Sequence, residues 1–119
     1  MLPLSVQLKA QVTEVHSVMS TLVETTDHLI TLTKVEEIKQ SLHIFSSLIE
    51  GIEAIFKVLP KFNINVLEPM KTIEQTLPKM AKAFENETLP IVEELTSDSL
   101  QPALISIRDR YADVLKEMN

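Results

Sequence analysis

The sequence predicts an all-α fold: a four- to five-helix bundle, or coiled-coil-like antiparallel helices, with a proline-kinked C-terminal half. Three observations predict it. Apolar residues recur in a 3,4 alternation, most regularly at Val35, Ile38, Leu42, Phe45, Ile49, Ile52, Phe56 and Leu59, which is the spacing of a helix packed on other helices. Prolines at 60, 69, 78, 90 and 102 punctuate the remainder. The apolar stock is aliphatic, with no Trp, one Tyr and four Phe, a composition that favours a bundle over a sandwich or a small-molecule enzyme.

The first helix is expected over residues 4–31. Its seam runs through Leu8, Val12, Val15, Met19, Leu22 and Leu29, with Thr26 at the missing step. Its polar side is poor in charge and rich in Ser and Thr, weak helix formers whose hydroxyls compete for backbone groups. Tertiary packing must hold it, and part of that face is a candidate docking surface beside the simpler reading as solvated side.

Continuing the first seam by the same rule lands on Thr33 and Glu36, out of phase with Val35 and Ile38. A kink or tight turn is therefore expected at 31–34, with Thr33-Lys34-Val35-Glu36 as a capping box opening a second helix over 34–59. The alternative is one long helix with a stutter, since no Gly or Pro marks the junction. On this second helix another apolar row, Ile44, Leu48, Ile55 and Val58, runs beside the first, with Gly51 in its middle. A helix apolar over more than one stripe needs partners on two sides.

Pro60 ends that helix by restricting the preceding residue. Residues 61–68 form a connector in which Asn63 and Asn65 interrupt a β-like stretch and Phe62, Ile64 and Val66 tuck onto the bundle. Pro69 suits the first turn of a third helix over 68–86, with the seam Val66, Met70, Ile73, Leu77, Met80 and Phe84. Pro78 falls inside it and predicts a kink or short break near Thr76. A short helix follows over 89–96 and a last one over 99–118, capped by Ser97-Asp98-Ser99 and carrying Leu100, Leu104, Ile107, Tyr111, Val114 and Met118. Thr-Leu-Pro occurs at 76–78 and at 88–90, the hint of a short repeat.

The 119 residues make a single helical domain, 1–119, of ordinary globular composition, 45% apolar and 24% charged. Seventeen acidic against eleven basic residues leave a charge of −6, which opposes binding to a phosphate backbone. The absence of Cys rules out disulfides and thiolate sites and suits a cytoplasmic location. Met1-Leu2-Pro3-Leu4-Ser5 lacks the character of a secretory signal. Residues 41–59 approach the length of a membrane span but carry His43, Glu50, Glu53 and Lys57. Asn86-Glu87-Thr88 matches a glycosylation sequon that carries little weight alone.

No catalytic, cofactor or metal motif emerges. Gly51 is the sole glycine, so a glycine-rich phosphate loop is excluded; it reads as a packing notch, or else as a hinge or access point. His16, His28 and His43 fall in no metal-binding spacing. Glu50 and Glu53 form a solvated strip, or a face that protonation would let enter a membrane interface. The expected function is non-enzymatic. It is a helical protein-interaction module, whether homo-oligomer, adaptor or small chaperone-like protein, that buries an apolar face built from Ile44, Leu48, Gly51, Ile55 and Val58. The expected partner is a protein or a second copy, without nucleic acid, cofactor or transmembrane span. The alternative is a peripheral lipid-associated bundle.

Overall fold

In the computed structural model, residues 4–62 and 64–118 are described; Met1–Pro3 and Asn63, named in two of the expectations above, lie outside them. The elements are α1 (Leu4–Lys34), α2 (Ile38–Val58), a 3-10 turn (Leu59–Lys61), α3 (Leu67–Glu85), α4 (Leu89–Leu95), a π turn (Thr96–Leu100) and α5 (Gln101–Met118). Because α4, the π turn and α5 follow one another with helical backbone throughout, they act as one long helix. Four antiparallel rods result, in a bundle 51 × 23 × 20 Å. The fold is the all-α bundle that the alternation predicts.

The reversal between α1 and α2 needs no glycine. Glu37 N–H donates to Leu32 O at 3.0 Å and Glu36 N–H to Thr33 O at 3.2 Å, the paired bonds of a Schellman motif. Glu36 takes the left-handed position at φ 59° that glycine usually fills. The same device ends α3: Thr88 N–H bonds Ala83 O at 2.9 Å and Glu87 N–H bonds Phe84 O at 3.0 Å, with Glu87 at φ 55°. Two expectations are thereby corrected. The capping box does not form, because α1 continues to Lys34 and Thr33 Oγ1 donates back to Ile30 O at 2.8 Å. Nor is there one stuttered helix; the phase change belongs to two helices joined at Val35–Glu37.

A further correction concerns the last rod. Continuing the spacing of Leu89, Val92 and Thr96 would bury Ser99, Ala103, Ser106 and Arg110; Ala103 is indeed buried, but the rest of the stripe is Leu100, Leu104, Ile107 and Tyr111. One extra residue must be absorbed, and the π turn absorbs it, with Gln101 N–H bonded to Thr96 O five residues back. Pro102 follows immediately; its ring would crowd the carbonyl four residues earlier in a tighter turn and it has no N–H to donate. A widened turn therefore replaces the expected break, and Ser97 caps nothing, bonding instead to Glu94 O and Asp98 Oδ1. Likewise α3 runs through Pro78 without interruption, so no break occurs near Thr76.

Packing radiates from α1, which lies along α2 on one side and along α4 and α5 on the other; α3 packs on the α4–α5 rod, and α2 meets α3 only lightly. Gln101 fastens α5 to α1, its Nε2 donating to Thr26 Oγ1 at 3.0 Å and to Asp27 Oδ1 at 2.6 Å. Phe45 and Phe84, with ring centroids 4.9 Å apart, join α2 to α3. Phe62 stands edge-on to Tyr111 at 5.9 Å, and with half-buried Ile64 and buried Val66 it holds the connector against the bundle.

The stripe that α2 gives to the core is Ser41, Phe45, Leu48, Ile52, Ile55 and Leu59. It takes members from both rows seen in the sequence. On one flank, Ile44, Gly51 and Val58 turn toward α1; on the other, Ile49 and Phe56 turn toward α3, while Val35 and Leu42 are exposed. The expectation that Leu48 belongs to an interaction face is thus corrected. It lies between the two rows, in the direction in which the chain's own helices sit, and is wholly buried, while Ile55, also buried, stands where the stripe meets α1.

Candidate functional site

Two apolar depressions flank α2, and their positions follow from which side chains are small. At Gly51 the first two helices approach so closely that a Cβ there would meet Leu22 Cδ2 at 2.8 Å. Beside that contact a cavity of about 450 Å³ opens between α1 and α2. Its floor is buried Val15 and Ile55; half-buried Val18, Val58 and Phe62 form the walls. Gln11 and Glu14 are its only polar lining among the described residues, and both are exposed. Three of the five residues expected in the site, Gly51, Ile55 and Val58, meet here; Ile44 lies elsewhere, near His28 and His43, and Leu48 lines neither depression.

On the opposite flank, the light contact between α2 and α3 leaves a shallower, more open groove of about 550 Å³. Ile49, Ile52 and Phe56 form one wall and Leu77, Pro78 and Ala81 the other. Glu53, Lys57 and Glu74 stand at its edge, exposed and without an ion pair among the described residues. Glu50 is exposed but lines neither depression.

Sequence reading missed this groove because Ile49 and Phe56 share a row with core residues Phe45 and Ile52. It missed Leu8 and Val15 in the cavity because they read as α1 core, and Val18 because it falls outside that seam. A signal did exist: α2 is apolar at every angle from Ile44 to Ile49, wider than one core stripe can use.

The Ser/Thr side of α1 is less polar than its composition implies. Thr13, Thr21, Thr25 and Thr31 each donate to the carbonyl four residues earlier, at 2.7 to 3.2 Å. Their hydroxyls are thereby spent on the helix itself. In the core, Tyr111 is fully buried with its hydroxyl unpartnered, and that burial pushes its pKa up to about 12. Ser41 Oγ is likewise buried without a partner. Among the described residues no three His, Asp or Glu side chains converge as metal ligands, and no helix is long and apolar enough to cross a membrane.

These features define an all-helical bundle with apolar recesses on both sides of its second helix. Residues 12–110, spanning most of all four rods, match the family described as Domain of unknown function (DUF8042), and the chain belongs to that family. No curated protein and no solved structure matches it.

Proposed function

We propose that this chain is a non-enzymatic helical protein-interaction module that acts by burying apolar surface beside α2. The groove between α2 and α3 carries the reading: Ile49, Phe56 and Leu77 remain half-buried there in an open trough bounded by two helices, the geometry in which an amphipathic helix is bound. Its edge carries two carboxylates, Glu53 and Glu74, against one lysine, Lys57. A partner helix whose apolar stripe is flanked by Lys or Arg complements that edge, from another protein or from a second copy. Nucleic acid is a poor partner for a chain of charge −6, and a cytoplasmic setting suits a chain without Cys.

The test is direct. A basic amphipathic peptide added to isotope-labelled protein should shift the resonances of Ile49, Phe56 and Leu77, with an affinity that weakens as salt is added. Phe56→Glu should abolish the shifts while the circular dichroism stays helical. No shifts, together with a light-scattering mass that stays monomeric at all concentrations, would overturn the reading. A second reading, a lipid-associated bundle, draws on the more enclosed cavity between α1 and α2; vesicle flotation at neutral and mildly acidic pH would favour it.

A further inference from the structure

We propose that the cavity between α1 and α2 is a binding site for a single-chain amphiphile, an alkyl chain bearing a cationic ammonium head. The inference is independent of the α2–α3 groove and of any protein partner. It starts from shape. Along α1 the cavity's lining residues run from Leu8 to Val18, roughly 15 Å at the rise of a helix, and its volume of about 450 Å³ lies within the range of small-molecule sites. One end is shut where α1 rests on Gly51 at Leu22; at the other stands the Phe62 ring, itself braced by Tyr111. An elongated apolar recess stopped by packing at its two ends suits a flexible chain better than a flat ring.

Lining chemistry narrows the ligand further. Apart from Gln11 and Glu14, the described lining residues are apolar, so nothing in the interior pays for burying a polar group. The ligand must be aliphatic where it is enclosed, and its polar head must sit at the exposed rim. There Glu14 is a carboxylate with no ion pair among the described residues, and Gln11 is neutral. A fatty acid or alkyl sulfate would bring its charge against Glu14, whereas an ammonium head meets a counter-charge at the mouth. Gly51 and Ala54 make the site possible, because larger side chains at these positions would project into it.

The experiment titrates the full chain with dodecyltrimethylammonium and with dodecanoate, each below its micelle concentration, by calorimetry and by the methyl resonances of Val15, Val18, Ile55 and Val58. The ammonium ligand should bind one to one and roughly tenfold more tightly than the carboxylate. Affinity should fall about fourfold for each methylene removed from the chain. Glu14→Lys should reverse the head-group preference, and Ala54→Trp, at an exposed position that leaves the core intact, should abolish binding of both.

Four results would overturn the proposal. The first is no saturable binding of either ligand. The second is ammonium binding that survives Ala54→Trp, which marks general attraction to an acidic protein. The third is a preference unchanged by Glu14→Lys. Co-flotation with phosphatidylcholine vesicles that Ala54→Trp abolishes would assign the cavity to a membrane lipid instead of a free amphiphile, and would overturn it as well. Because peptide binding is read at Ile49 and Leu77, failure here leaves the groove's own test untouched.

Discussion

Gly51 and Leu22 lock the first two helices together: a Cβ on Gly51 would stand 2.8 Å from Leu22 Cδ2, inside any relaxed carbon–carbon contact. The obstruction is the far end of a flexible side chain, and Leu22 Cγ is already 4.0 Å away. Gly51→Ala should therefore leave stability within about 1 kcal/mol of the parent, the helix-propensity gain of about 1 kcal/mol being offset by displacement of Leu22. In a Leu22→Ala background the same change should stabilise by about 1 kcal/mol. Urea unfolding of the four proteins gives the coupling directly, and a zero coupling would show that the two residues do not press on one another.

Both interhelical turns place a glutamate in the left-handed region, Glu36 and Glu87. An L side chain there costs roughly 1–2 kcal/mol, partly offset because glycine gains entropy when unfolded. Glu36→Gly and Glu87→Gly should each raise stability by about 0.5–1 kcal/mol, and do so additively. Replacement by Val, stiff and β-branched, should lower it. Chemical denaturation midpoints decide the sign.

Tyr111 makes the fold sensitive to alkali. Its folded pKa is raised to about 12 from an ordinary value of 10.0 because burial disfavours the phenolate. In that interval the unfolded chain releases the phenolic proton and the folded chain retains it. The contribution is thus complete below pH 10 and is lost as pH rises through 12. Tyr111→Phe should flatten this part of the stability profile. At neutral pH it should be neutral or stabilising by about 1 kcal/mol, since it removes a buried hydroxyl that has no partner.

Substitutions along α2 should separate core from surface. Leu48→Ala should cost about 2–5 kcal/mol, as expected for a fully buried leucine, and Leu48→Glu or Ile55→Glu should unfold the protein. Leu42→Glu, at 43% exposure, should change stability by no more than about 0.5 kcal/mol. Thermal melts followed by circular dichroism make the comparison.

What could be read from residues alone was whatever depends on spacing along one helix. The alternation at 38–59, the seam from Val12 to Leu29 with Thr26 buried at its missing step and the tucked Val66 follow from local periodicity, whereas Pro60 does not push Leu59 out of the helical region: Leu59 keeps φ −52° and ψ −43°, and a 3-10 turn carries the chain on to Lys61. The sequence also signalled that α2 was too apolar for one stripe, without saying which stripe was surplus. That choice depends on the angles at which α1 and α3 approach, and these are set by contacts distant in the chain. Leu22 over Gly51 and Phe45 against Phe84 are the particular ones here.

The same division runs through the turns and the site. The phase change at 33–35 was visible, but the Schellman geometry that resolves it needs a glutamate in a conformation that residue type disfavours, and only the packed helices on either side hold it there. The segment before Pro102 was read as a break between two helices and is a π turn instead, because both halves of that helix must face α1. Sequence determined an all-helical chain with more apolar surface than one core stripe can use. Tertiary structure decided where the excess lies, in a trough on one side of α2 and a more enclosed cavity on the other, because a recess is a property of two helices and of the gap that small residues leave between them.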